Sequence, residues 1–123
     1  MFVNSSLGIH VVWDIYDGDE ELLSYVPTIK EILNQIVDEL QLSKVGESYK
    51  QFEPIGVTGF ILLEESHVSI HTWPEHKFAA IDIFSCKPFD ENRMKELLEK
   101  TFKSTKIIVK KIQRGKEIVP SVF

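Results

Sequence analysis

The side chains of this sequence that could perform chemistry are concentrated in residues 56–86, GVTGFILLEESHVSIHTWPEHKFAAIDIFSC. This stretch contains three of the four histidines, the adjacent acids Glu64 and Glu65, Ser66 and the only cysteine, Cys86. Histidine transfers protons near neutral pH, and a serine or cysteine can act as a nucleophile. Because burying polar groups costs free energy unless they are paired or used, their position between apolar runs indicates a functional segment.

A metal site is one interpretation of His67, His71, Glu75 and His76. The segment 67–73, however, alternates polar residues with apolar or β-branched ones, which is typical of a strand. Residues four apart on a strand are separated by about 13 Å, too far to bind the same ion. We therefore expect no metal, and histidines hydrogen-bonded at a sheet edge are the structural alternative.

Ser66 follows an acidic pair directly, so polar side chains interrupt an apolar run. A turn between Leu63 and Val68 explains this pattern structurally, and a serine nucleophile explains it chemically. The GxSxG motif of serine hydrolases is absent from the sequence. Because Ser66 and His71 are five residues apart, they lie on opposite faces of a straight strand and could cooperate only if the chain bends near Ser66.

Hydrophobic periodicity predicts the elements that must position these residues. Runs of β-branched and aromatic residues bounded by turn residues predict six strands, at 7–16, 44–52, 57–63, 68–73, 78–84 and 106–112. Apolar residues at helical spacing predict amphipathic helices over 27–40 and 91–103, and a short helical turn is predicted at 20–24. This order predicts an α+β fold, a two-layer sandwich whose antiparallel sheet carries two helices on one face, followed by a tail from residue 114.

Length and composition limit the function classes. A chain of 123 residues is expected to form one domain, residues 1–123, around one core. The net charge of −5 argues against a nucleic-acid partner, which requires a basic surface. We expect no membrane partner, because no apolar run approaches the length of a membrane helix, and no secretory signal, because the first residues lack a basic segment followed by an apolar core. A single cysteine cannot form an internal disulfide, so a cytoplasmic location is expected.

Six short motifs, each present once, are distributed along the chain. They are LGxH at 7–10, FxPxGV(S/T)G at 52–59, ESH at 65–67, IHTWPE at 70–75, AxxDxFxC at 79–86 and RG at 114–115. Together they resemble the prokaryotic S-adenosylmethionine decarboxylase family, whose members carry a pyruvoyl group. The resemblance covers nearly the whole chain, and its spacing is kept without gaps through the central stretch.

This resemblance implies that the chain cuts itself between Glu65 and Ser66, giving fragments 1–65 and 66–123. In the family, the serine hydroxyl attacks the preceding carbonyl and converts the amide to an ester. Removal of the serine α-proton eliminates the ester, and hydrolysis with loss of ammonia leaves a pyruvoyl group on the second fragment. The pyruvoyl carbonyl forms a Schiff base with the substrate amine and accepts the electrons released with carbon dioxide.

The resemblance also assigns roles to other side chains. His71 matches the processing base, and Thr58 matches the hydroxyl that supports the tetrahedral intermediate, where the family more often has serine. Cys86 matches the residue that returns a proton to the substrate carbon. Phe52 matches a residue that stacks on adenine, and Glu75 matches an acid that could hydrogen-bond the substrate.

The function implied by the resemblance is a self-processing, pyruvoyl-dependent decarboxylase. It would convert S-adenosylmethionine to decarboxylated S-adenosylmethionine, the aminopropyl donor for spermidine synthesis, as a homodimer of cut pairs with sites near the subunit interface. Two alternatives stay open. One is an arginine or ornithine decarboxylase of the same family, which would share the processing motif. The other is a non-catalytic binding or regulatory module, against which the intact Ser66, His71 and Cys86 argue.

Overall fold

The computed structural model describes residues 6–118, so the outermost residues of both termini, including the end of the predicted tail, lie outside the described part. The elements in chain order are β1 (Gly8–Tyr16), α1 (Glu20–Ser24), α2 (Val26–Glu39), β2 (Lys44–Gln51), β3 (Val57–Leu63), β4 (Ser66–Trp73), a 3-10 turn (Pro74–His76), β5 (Phe78–Ser85), α3 (Glu91–Phe102) and β6 (Lys106–Arg114). Within the described residues, none of the helices has the length and apolar character needed to span a membrane.

The six strands form one sheet in the order β2-β3-β4-β5-β1-β6, and every neighbouring pair is antiparallel. One face of the sheet packs against the helices, because alternate residues of the central strands are apolar and buried. The helical stripes complete this core. They comprise Ile29, Ile32, Leu33, Ile36 and Val37 in α2, with Met94, Leu97, Leu98 and Phe102 in α3. The predicted α+β sandwich is confirmed, and the short helix α1 lies where a helical turn was predicted, at 20–24.

The opposite face of the sheet, which we call the open face, contributes no residue to the helix-packed core of the described chain. It carries the polar side of β4 and several apolar side chains that remain exposed, among them Phe60 (42%), Leu62 (45%), Trp73 (43%) and Ile112 (48%). Exposed apolar residues grouped on one surface are typical of an interaction face. The fold therefore presents one covered and one uncovered side of the same sheet.

The two largest departures from the predicted strand boundaries are that β6 extends to Arg114, the residue at which the tail was predicted to begin, and that β4 begins at Ser66 instead of residue 68. The predicted turn spanned 64–67, but Leu63 pairs with Ser66 across the hairpin, so only Glu64 and Glu65 form the loop. Two-residue loops are the commonest connection between antiparallel strands. Ser66 and His67 consequently belong to the strand, and their side chains lie on opposite faces of the sheet.

A polar network on Glu47 makes the stability of the β2–α2 contact depend on pH. The Glu47 carboxylate, 17% exposed, accepts hydrogen bonds from Lys44 (2.7 Å), Asn34 (2.9 Å) and Tyr49 (2.8 Å). The hydrogen bond from Lys44, followed by that from Asn34, lowers the pKa of Glu47 from 4.5 to about 2. Because the folded-state pKa is depressed, this contribution to stability is present above pH 4.5 and is lost as the pH falls towards 2.

We expect Glu47→Gln to lower the free energy of unfolding by about 1 kcal/mol at neutral pH, since a charge-assisted hydrogen-bond network is weakened. The difference from the wild type should shrink as the pH is lowered through the range in which Glu47 is protonated. Urea unfolding at a series of pH values measures it. Glu99→Gln, at an exposed position in α3, is the matched control and should show no such convergence. An equal effect of both substitutions would contradict the role of the network.

Candidate active site

Ser66 is the first residue of β4, and its hydroxyl is held by a buried neighbour. Ser66 pairs with Ser85 of β5, and its Oγ donates a hydrogen bond to Ser85 Oγ over 2.9 Å. Ser85 is fully buried, donates to the Lys87 carbonyl oxygen (2.5 Å) and accepts from the Lys87 amide (3.1 Å). The Ser66 hydroxyl is therefore fixed in orientation rather than free to rotate.

The peptide bond before Ser66 is contacted by the residue after Ser85. The Cys86 amide donates a hydrogen bond to the Glu65 carbonyl oxygen over 3.2 Å. A donor on this oxygen polarises the carbonyl and can stabilise negative charge that develops there. Cys86 itself is a free, half-buried thiol. We call Glu65, Ser66, Ser85 and Cys86 the cleavage half-site, because together they bring a hydroxyl, a carbonyl and an amide donor to one peptide bond.

A second group lies towards the far end of β4. His71 pairs with Thr58 of β3, and His71 Nδ1 lies 3.2 Å from Thr58 Oγ1 on the open face. Phe52 follows β2 and is 45% exposed, and Glu75 lies in the exposed part of the 3-10 turn. We call Phe52, Thr58, His71 and Glu75 the histidine half-site.

Gly56 brings the loop that carries Phe52 to the end of β4. Its φ of +117° is a conformation that side-chain-bearing residues rarely adopt, and a Cβ there would contact Phe52 Cβ, the Thr72 carbonyl oxygen and Pro74 Cδ at 3.6–3.7 Å. Phe52 therefore lies near the start of the turn that contains Glu75. The family motif that runs from 52 to 59 thus joins the motif around 71–75 in space.

A single chain does not bring the two half-sites together. Ser66 and His71 are five residues apart on a strand whose pairing with both neighbours is regular, so about 16 Å of strand separates them and their side chains lie on opposite faces. The bend that would have united them is absent. The cavity beside the Glu65–Ser66 bond has a volume of only ≈ 20 Å³, whereas an open depression of ≈ 300 Å³ adjoins Thr58 and His71. Pockets for small molecules are typically about 300–1,000 Å³.

A third polar cluster, His10, His67, Ser69 and Asp82, lies on the open face where β1, β4 and β5 adjoin. Asp82 accepts hydrogen bonds from Ser69 and from both histidines. Burial raises the pKa of Asp82, but the hydrogen bonds from Ser69, His10 and His67 outweigh burial and hold that pKa below its usual value. The set of metal ligands considered from the sequence, with His71, Glu75 and His76, does not assemble among the described residues.

The sequence did not predict a functional role for the side chains of Ser85 and Asp82, although both lie in the AxxDxFxC segment. Ser85 occupies the buried register of β5, in line with Ala79, Ile81 and Ile83. A hydroxyl at a buried strand position next to Cys86 was the available signal, since such groups need a partner. The partner could not be identified before the β4–β5 register was known.

Comparison with known proteins gives a consistent result over most of the chain. A family model described as S-adenosylmethionine decarboxylase matches residues 9–115. A protein named S-adenosylmethionine decarboxylase proenzyme from Sulfurihydrogenibium sp. (strain YO3AOP1) is 42% identical over 119 residues, which cover 96% of this chain and 88% of the relative. A relative of the same name from Archaeoglobus fulgidus is 48% identical over 80 residues, covering 65% of this chain and 71% of the relative. The crystal structure of the adenosylmethionine decarboxylase from Aquifex aeolicus VF5 superposes with a TM-score of 0.81 at 34% identity, covering 89% of this chain and 92% of that one.

Proposed function

Because the chain belongs to the S-adenosylmethionine decarboxylase family, we propose that it cuts itself between Glu65 and Ser66 and then decarboxylates S-adenosylmethionine. The observation that carries this proposal is the arrangement at that bond: the Cys86 amide lies 3.2 Å from the Glu65 carbonyl oxygen, while Ser85 orients the adjacent Ser66 hydroxyl. The products are an N-terminal fragment, 1–65, and a C-terminal fragment, 66–123. The pyruvoyl group is generated from Ser66.

The first step is an acyl shift within the chain. Ser66 Oγ attacks the Glu65 carbonyl carbon, and the oxygen that becomes negative is stabilised by the Cys86 amide, which already donates to it. The Ser66 hydroxyl proton, which points at Ser85 Oγ before the attack, is transferred to the Ser66 nitrogen as the C–N bond breaks. Collapse of the tetrahedral intermediate breaks the Glu65–Ser66 C–N bond and forms an ester on Ser66 Oγ, with the Ser66 nitrogen released as an amine.

The second step requires a base at the Ser66 α-carbon. Removal of the α-proton expels the Glu65 carboxylate, and water then replaces the Ser66 nitrogen, which leaves as ammonia. We assign the base to His71, with the Thr58 hydroxyl on its ring nitrogen. Since His71 lies on the opposite face of the strand from the Ser66 of its own chain, we assign the reaction to His71 of a second copy.

A homodimer of cut pairs supplies that second copy. The open face is the surface that would meet it, because it carries both the histidine half-site and the exposed Phe60, Leu62, Trp73 and Ile112. Two-fold symmetry would then bring the histidine half-site of each chain to the β3–β4 hairpin end of the other, and the Glu65–Ser66 bond would be reached around the end of β4, because the Ser66 side chain lies on the helix-covered face. The ≈ 20 Å³ cavity at Ser66 would become one wall of a larger pocket.

In the cut protein, the pyruvoyl group supplies an electron sink for decarboxylation. The side chains around position 66 fit such a group, since the Ser85 hydroxyl, which now accepts from Ser66 and donates to the Lys87 carbonyl oxygen, could turn its proton to a pyruvoyl oxygen. The Cys86 thiol would deliver a proton to the substrate carbon after carbon dioxide leaves. Phe52 would stack on the adenine ring, and Glu75 would accept a hydrogen bond from the substrate. A thiol that must stay reduced fits a cytoplasmic location.

The test combines intact-mass measurement of the purified protein with carbon dioxide release from S-adenosylmethionine, arginine and ornithine, each supplied separately. We expect two fragments that meet at residues 65 and 66, the second with a pyruvoyl mass at its first position, and activity on S-adenosylmethionine. Activity only on arginine or ornithine would overturn the substrate. One uncut chain of 14.2 kDa without activity under any condition would overturn the function and favour a binding module.

A Cys86→Ala sample separates processing from turnover in the same measurements. It retains the backbone amide that contacts Glu65, so the two fragments should form as in the wild type. Carbon dioxide release should fall by about 100-fold or more, because a positioned acid is lost. Full activity would show that the thiol is not the proton donor.

A further inference from the structure

His10, His67 and Asp82 converge on the open face from three different strands. His10 Nε2 lies 2.5 Å, and His67 Nε2 lies 3.3 Å, from the same oxygen, Asp82 Oδ2. One nitrogen from each imidazole and this carboxylate oxygen all lie within 4.8 Å of one another. Among the described residues, this is the group whose donor atoms are close enough to bind one ion.

We propose that His10, His67 and Asp82 bind a transition-metal ion of the Zn²⁺ class. Two imidazole nitrogens and one carboxylate oxygen are a common protein ligand set for Zn²⁺, Co²⁺ and Ni²⁺, whereas Mg²⁺ and Ca²⁺ prefer oxygen donors throughout. Three protein ligands leave a fourth position for water. The sequence predicted no metal. It did not indicate this ligand set, because His10 and Asp82 are far from His67 in the sequence and meet it only through strand pairing.

The observed spacing needs little change to accept an ion. Zn²⁺ bonds of about 2.0–2.2 Å in tetrahedral geometry place ligand atoms roughly 3.3 Å apart. The His67–Asp82 distance of 3.3 Å already matches, and the His10–Asp82 distance of 2.5 Å must widen. The Ser69 hydroxyl donates to Asp82 Oδ1, which orients the carboxylate and leaves Oδ2 for the ion. The three side chains are 20–38% exposed, so they are accessible from solvent in the single chain.

Arg114 competes with the ion. Its guanidinium nitrogen lies 3.3 Å from His10 Nδ1, where it can only donate, so the imidazole proton is placed on Nε2 and points at Asp82. An ion on Nε2 would displace that proton, and a proton on Nδ1 would then face the guanidinium. Arg114 is exposed and can turn into solvent. Protons and Arg114 therefore both oppose binding, and removal of the guanidinium should strengthen it.

The ion would join β1, β4 and β5 on the open face. Because none of its three ligands is assigned a role in cleavage or decarboxylation, we expect it to act as a structural clamp. The proposal does not rest on self-cleavage, so the uncut Ser66→Ala chain should bind the ion as the cut protein does.

Equilibrium dialysis of chelator-treated, full-length protein against Zn²⁺ tests the site, with cut wild type and uncut Ser66→Ala measured in parallel. We expect one ion per chain. His10→Gln, His67→Gln and Asp82→Asn should each weaken binding by more than about 10–100-fold, the loss typical of removing an outer-shell partner, because each removes a ligand. Arg114→Ala should tighten it at least about threefold, because a nearby positive charge is removed. His76→Gln, at the exposed histidine outside the cluster, is the matched control and should bind as the parent does.

Absence of binding, or binding that survives both His10→Gln and Asp82→Asn, would reduce the cluster to a hydrogen-bond network. X-ray absorption at the zinc edge of the wild-type protein provides a second readout that does not depend on folding of the variants. Nitrogen and oxygen ligands without sulfur support the site. A sulfur ligand would place the ion at Cys86 and overturn the proposal.

Discussion

Replacement of Ser66 by alanine should leave the chain as a single piece of 14.2 kDa, with no detectable cleavage and no carbon dioxide release from S-adenosylmethionine. The expected loss is complete, because alanine removes the nucleophile of the acyl shift, and without the ester no group can be eliminated to form the pyruvoyl group. The fold should persist. The lost contact is one hydrogen bond to Ser85, which typically contributes about 1 kcal/mol to stability. Intact mass, circular dichroism and product release on the same sample measure these outcomes.

Ser43→Ala is the matched control for this substitution. Ser43 lines the same small cavity as Ser66, but its contact with the hairpin is through its backbone carbonyl, which accepts from the Glu64 amide. Cleavage and activity should therefore be unchanged. Fragments that appear in Ser66→Ala at the same rate as in the wild type would mean that the peptide bond is cut by another route, and the proposed acyl shift would then be wrong.

The layers of this fold could be predicted because their signals are local. The apolar stripe of α2 and the alternation in β3 each report which side of one element is buried, and that is enough to place helices on one face of a sheet. Strand order could not be predicted in this way, because it depends on pairing between distant segments. β1 lies between β5 and β6, and no periodicity within Gly8–Tyr16 indicates those partners.

The same distinction between local and non-local signals applies to the candidate site. The opposite orientation of Ser66 and His71 followed from counting residues on a strand, and the regular register of β4 agrees with it. The contacts of Ser85 and Asp82 did not follow, since each depends on a neighbouring strand. His10 and Arg114 are the clearest case. They belong to motifs at opposite ends of the chain, yet their side chains meet because Gly8 pairs with Arg114 across β1 and β6.

Co-expression of a Ser66→Ala chain with a His71→Ala chain should restore self-cleavage that neither variant shows alone. In a heterodimer with exchanged half-sites, one site combines intact Ser66 from the His71→Ala chain with intact His71 from the Ser66→Ala chain, and the other site lacks both. Only the His71→Ala chain should therefore be cut. The physical reason is the position of both residues on β4, where about 16 Å and the thickness of the sheet separate them within one chain. Two different affinity tags isolate the heterodimer, and intact mass identifies the chain that is cut.

The reciprocal pairing is the control. A chain with both substitutions, paired with a wild-type chain, again has one intact copy of each residue, but now in the same chain. Exchange of half-sites predicts that the wild-type chain in this heterodimer stays uncut, since its Ser66 faces a partner whose position 71 lacks the imidazole. If the base acts within its own chain, the first heterodimer should stay uncut and the wild-type chain of the second should be cut. That pair of results would contradict a site shared between two copies. Processing at Ser66 would then need a rearrangement of β4 that brings His71 to the other face of the sheet.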